Sequence, residues 1–162
     1  MDIGNDWGMV ETYLPFQIIM IRLAIAALLG AIIGIERGRH TAEAGLRTHI
    51  LIALAAALFT VLAFEIYHTL DPEMSGGQRA DPIRAVEAVT AGIAFLGAGA
   101  IFRRGAGVHG LTTGAGMWMA GAIGVACALG HYLLAGAVTA LALLVLTILR
   151  SLSHKVINQN GN

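Results

Sequence analysis

Apolar and polar positions fall along this chain in long blocks rather than in short alternation. Five apolar runs stand out, at residues 14–35, 50–67, 85–102, 111–129 and 132–149, separated by polar or glycine-rich connections. At 1.5 Å rise per residue, runs of roughly 18 to 22 residues cover about 27 to 33 Å as α-helix, the depth of a bilayer's hydrocarbon core. The pattern predicts an all-α, polytopic transmembrane helical bundle of about five spans, forming a single transmembrane domain over residues 1–162. Between the last two runs only Gly130 and His131 interrupt the apolar sequence. Either they form a tight antiparallel hairpin or the two runs merge and the count drops to four.

Cationic residues decide the expected orientation. Arg37, Arg39 and Arg47 lie in the first connection, Arg103 and Arg104 in the third, and Arg150 and Lys155 in the tail, whereas the second connection holds Arg79 and Arg84 and the first thirteen residues hold none. Five spans with the N-terminus outside and the C-terminus cytoplasmic put seven cationic residues inside against two outside. Four spans would move the last pair outside, so the charge bias favours five. Asp2, Asp6 and Glu11 without any Lys or Arg do not resemble the start of a signal peptide, so the first span is expected to be retained.

Composition agrees with lipid as the solvent. The chain is 57% hydrophobic and 12% charged, with a mean hydropathy of +0.75 and zero formal net charge, which leaves no global field to draw in nucleic acid. Many of its 21 glycines lie inside the apolar runs, where they suit close helix packing. The single cysteine, Cys127, sits in the fourth run and reads as a buried thiol acting as a small hydrophobe.

Charges inside the runs are the first candidates for function, because an ionised group in lipid costs at least about 2.5 to 3.5 kcal/mol unless paired or hydrated. Arg22, Glu65 and Glu87 form such a set, all in the outer half of the bilayer in the expected orientation. Arg22, Ala26, Gly30 and Gly34 share one helical face, and so do Glu87, Ala91, Ala94 and Ala98. These small-residue faces are expected to bring spans one and three together and pair Arg22 with Glu87, Glu65 or both. Such a cluster suits either a cation or proton site or an ion pair that fixes helix order.

At the opposite end, Glu36, Arg37, Arg47, Thr48, Arg103 and Thr112 form a second candidate set, expected to tie the first and third connections together. Thr112 or Thr113 is placed to cap the fourth helix, whose N-terminus beside arginines suits an anion or anionic lipid. The stripe Gly114, Met117, Gly121 and Gly124 offers either an internal packing face or a subunit interface, and Gly30 with Gly34 is a weak match to the dimer motif. His40, His49, His68, His109, His131 and His154 all fall near predicted boundaries, which explains them without a pH sensor. Asp71, Glu73 and Asp81 are oxygen ligands able to hold magnesium loosely. No nucleophile elbow, Walker sequence, zinc-protease motif or paired-cysteine motif occurs, so catalysis is not expected.

Three stretches carry a resemblance: Ile33-Gly34-Ile35-Glu36-Arg37 with Ala44-Gly45-Leu46-Arg47-Thr48-His49, then Thr90-Ala91-Gly92-Ile93-Ala94-Phe95-Leu96-Gly97-Ala98-Gly99, then Val108-His109-Gly110-Leu111-Thr112-Thr113. In order and spacing the set resembles the MgtC/SapB family from about Arg22 to Leu149. The resemblance implies a multi-pass protein of the bacterial inner membrane. It further implies a role in growth at low magnesium, acid stress and virulence, with a membrane-protein partner such as the ATP synthase. By position, Glu36, Arg37, Gly45, Arg47, Thr48, Gly92, Gly97, Gly99, Gly110, Leu111 and Thr112 match the family's motif residues. Two departures stand out: the family often has Gln where this chain has Ala88, beside Glu87, and its MgtC-type members continue into a soluble domain after the membrane module. The expected function is regulatory, through contacts with lipid, a partner protein or a second copy, without a bound cofactor. A magnesium or proton transporter is the alternative, and carriers usually show repeats, broken helices or acidic groups at the midplane.

Overall fold

The structure is a computed structural model that describes residues 12–39, 44–69, 81–105 and 107–149. Five α-helices account for nearly all of it: α1 (Phe16–Gly38), α2 (Leu46–Thr69), α3 (Pro82–Gly99), α4 (Leu111–Ala128) and α5 (Tyr132–Leu144), the last running on into a π-helical turn at Val145–Leu149. The fold is the transmembrane helical bundle that the apolar blocks predict. By length and composition α1, α2 and α4 are each long and apolar enough to cross a membrane.

Local chemistry sets where the helices begin and end. Asp81 stands at the N-cap of α3, where its carboxylate accepts the Ile83 N–H at 2.9 Å, and Pro82 occupies the first helical position. Gly130 ends α4 with φ +81°. Its N–H donates to the Cys127 carbonyl and the His131 N–H to the Ala126 carbonyl, the paired reverse bonds of a Schellman stop. These bonds separate α4 from α5, so the apolar sequence does break there. Between α3 and α4, Phe102–Arg104 (β1) and Gly107–His109 (β2) form a short antiparallel hairpin with Phe102 opposite His109. The apolar-block pattern leaves this stretch as a plain connection, because three-residue strands are too short to show a period.

Packing centres on α4, which touches α1, α2, α3 and α5. Its glycine stripe is an internal face: a Cβ at Gly114 would stand 2.9 Å from the Gly97 carbonyl of α3, and the space beside Gly124 is taken by Ala53 and Ala56 of α2. Gly30 and Gly34 likewise meet α2, at the His49 carbonyl and Leu46 Cα. Of the alternatives for these stripes, internal packing is the one the fold uses. Cys127 is a fully buried free thiol in the core formed by α1, α2, α4 and α5, beside Ala26, Ile33, Ala57 and Ile123.

Candidate functional site

The polar residues gather at the two ends of the bundle, with a tightly packed apolar layer between. At the first end the close approach of α1 to α2 at Gly34 lets the polar C-terminal turn of α1 sit beside the start of α2. Glu36 is buried there at 7% exposure, an unusual place for a carboxylate. Arg37 is half-buried and reaches across to α4, where its Nη2 donates to Thr113 Oγ1 at 2.9 Å. Hydrogen bonds from charged groups are roughly twice as strong as neutral ones, so this bond pins α1 to the first turn of α4.

His49 completes the group. It is fully buried, and its Nδ1 lies 2.9 Å from the Gly45 carbonyl. A carbonyl only accepts, so Nδ1 carries the hydrogen and, in the neutral ring, Nε2 presents its lone pair. That lone pair faces α4: a Cβ at Gly116 would stand 3.1 Å from His49 Nε2 and 4.0 Å from Arg37 Cδ. Neither His49 Nε2 nor Arg37 Nε has a hydrogen-bond partner among the described residues. The bare backbone at Gly116 therefore lies against the His49 acceptor, and a side chain there would press on it.

Of the six residues expected to meet at this end, the structure brings Glu36 and Arg37 to the buried end of the bundle and leaves the others outside it. Arg47, Arg103 and Thr112 are exposed, and Thr48 is half-buried on the α2 surface that faces α3. The threonine that contacts Arg37 is Thr113, which is buried while its neighbour Thr112 is not. Neither threonine caps α4 through its side chain, because Gly110 takes the N-cap position at φ +84° and a side chain there would collide with the Ala100 carbonyl. His49 was legible in principle. It shares a helical face with buried Ala53, Ala56 and Thr60, whereas a boundary histidine would point outward.

At the other end the expected ion pair is absent among the described residues. Arg22 Nη1 donates instead to the Ala128 carbonyl, one of the free carbonyls of the last turn of α4, where the helix dipole is negative. Its Nη2 lies beside Gly130, which has no side chain to block it. Glu65 accepts the backbone N–H groups of Tyr13 at 2.7 Å and Leu14 at 3.2 Å, which fastens the chain entering α1 to the end of α2. Tyr13 also stacks on His68, with ring centroids 3.6 Å apart. Glu87 is exposed, as are Ala91, Ala94 and Ala98. The small-residue face of α3 thus points away from the bundle, and the physical reason is that Ile93 and Gly97 on the opposite face are the positions that fit α4. Asp71 and Glu73 lie outside the described residues, as do His40 and His154, and Asp81 is engaged as a helix cap.

The MgtC family model matches residues 23–155. The chain belongs to the MgtC family. It is 37% identical over 142 residues to the Escherichia coli protein described as putative magnesium transporter YhiD, covering 87% of this chain and 65% of that one. It is 39% identical over 148 residues to protein MgtC of Salmonella typhimurium, covering 91% and 59%, and 40% identical over 130 residues to protein MgtC of Brucella abortus, covering 80% and 50%. The chain thus spans half to two-thirds of the length of these MgtC-family relatives. No solved structure matches it. The stretches that carried the family resemblance are the contact points of the fold: Gly34, Glu36 and Arg37 beside Gly45 and His49, Gly97 against Gly114, and Gly110 at the turn into α4.

Proposed function

We propose that this chain is a regulatory protein of the bacterial inner membrane that supports adaptation to magnesium limitation and acid stress. On this reading it acts without catalysis, by contacts within the membrane, with restraint of the proton-translocating ATP synthase as the leading route. The N-terminus is outside and the C-terminus cytoplasmic, following the distribution of Lys and Arg. One observation supports this reading above the others: between the two polar ends, Ala26, Ala53, Ala57, Ala120 and Cys127 are fully buried. Arg37 and Arg22 lock α1 to the two ends of α4, so the charged groups serve as ties across a closed apolar layer.

A magnesium or proton carrier is the competing reading, and the magnesium form of it is supported by the description of the Escherichia coli relative as a putative magnesium transporter. The deciding experiment is flux through the purified protein in liposomes loaded with magnesium- and proton-sensitive dyes. The regulatory reading expects rates equal to protein-free liposomes, together with slower proton pumping by ATP synthase in inverted vesicles that contain the protein. Saturable magnesium or proton flux would overturn it.

A further inference from the structure

Between α2 and α3 the bundle opens into a slot of about 880 Å³, floored by Ala56, Ile93 and Met117. Its walls run along α2 from Thr48 to Ile66, and Thr48 is the one polar residue that lines it. From Thr48 to Ile66 the helix rises about 27 Å, so the slot runs nearly the full depth of a hydrocarbon core of about 30 Å along α2. The slot is open along one side and lined almost wholly by apolar side chains, so hydrocarbon of the bilayer can enter it. Gly92 opens it further, since a Cβ there would meet nothing within 4 Å.

The charge at the mouth matches the same occupant. Arg47 is exposed and stands one turn before Leu51, which lines the slot, and Ala55 and Phe59 continue that line at four-residue steps. A cation therefore heads the apolar wall, with the Thr48 hydroxyl beside it. At the far mouth Arg84 is also exposed, but Glu87 stands one turn away and offsets it. From the length, the apolar lining and this cationic head, we propose that the slot is a phospholipid site, with an acyl chain between α2 and α3 and an anionic headgroup phosphate on Arg47.

Native mass spectrometry of the full chain, released from mixed micelles of phosphatidylglycerol and phosphatidylethanolamine, tests this. The wild type should retain phosphatidylglycerol in preference to phosphatidylethanolamine by at least about fivefold, a coupling of roughly 1 kcal/mol. Arg47→Gln should erase that preference, and Arg84→Gln should leave most of it. Gly92→Leu should obstruct the slot part-way along its length and lower the retained lipid of both kinds, while its thermal unfolding in detergent stays at the wild-type temperature. Retention undiminished by Gly92→Leu would place the lipid elsewhere and overturn the proposal. A wild-type chain that appears as a dimer, and becomes a lipid-free monomer on Gly92→Leu, would show that a second copy fills the slot and would overturn it equally.

Discussion

Helices α3 and α4 have the same length, 18 residues, and opposite surroundings. α4 buries ten of its residues, while α3 buries only Ile93 and Gly97. Both are rich in glycine and alanine, so composition does not separate them. Position does: the glycines of α4 face neighbours at Gly114, Gly116, Gly121 and Gly124, whereas Gly92 and Gly99 of α3 have nothing within 4 Å of a Cβ. Small residues in a membrane helix permit close approach without requiring it. The lesson is that α4 builds the frame, while α3, held at one edge, leaves most of its surface outside the packing.

The sharpest break of that comparison is to add the same side chain on each helix. Gly124→Leu would drive a side chain into Ala53 and Ala56 of α2. Overpacking of a closed core costs about 1 to 3 kcal/mol or more, a large part of a marginal stability. Most of the folded yield in detergent should be lost, whereas Gly92→Leu should keep it. Equal yields would show that α4 is no more the frame than α3.

The next effect concerns the tie at the first turn of α4. Thr113→Val removes the acceptor of Arg37 Nη2 and should lower stability by about 1.5 to 3 kcal/mol, read as thermal unfolding. Thr112→Val, one residue earlier and exposed, should stay within about 0.5 kcal/mol of wild type. A reversed order would mean that the motif acts through Thr112, as its sequence first suggests.

That contrast marks how far the sequence is legible. Block lengths locate all five helices, because a bilayer-deep apolar run admits few structures. The break at Gly130-His131 is readable as a glycine stop, though only the reverse bonds of Cys127 and Ala126 settle it. The choice of Thr113 over Thr112 depends on helix rotation, which in an apolar environment is set by packing and hardly by hydrophobic contrast. The same holds for Arg22: its depth is visible, but its partner is a backbone carbonyl, and carbonyls are invisible to a search for opposite charges. Glu65 is satisfied by main-chain amides for a similar reason.

A smaller effect is expected at Gly116. A methyl there would press on His49 Nε2 at 3.1 Å, tight enough that the ring must give by a few tenths of an ångström. Gly116→Ala should therefore lower stability by about 1 kcal/mol, and in a His49→Ala background the loss should shrink, a coupling that a double-mutant cycle reads directly. Full additivity would mean that the histidine does not depend on the bare backbone of α4.

The smallest effect is expected on the exposed face of α3, and it separates this structure from the ion pair that the sequence suggests. Glu87 is exposed and has no ion pair with Arg22 among the described residues, so Glu87→Gln should change the unfolding temperature little, within about 0.5 kcal/mol. Arg22→Leu should be clearly destabilising, because it strips the Ala128 carbonyl of its donor at the end of α4. If the two sites are independent, the double mutant Arg22→Leu, Glu87→Gln should equal the sum of the singles to within about 0.3 to 0.5 kcal/mol. A buried pair would behave otherwise, since removing one partner leaves a lone charge and removing both relieves it. Coupling above about 1 kcal/mol would therefore return Glu87 to the bundle interior and turn α3 about its axis, with its alanine face toward α1.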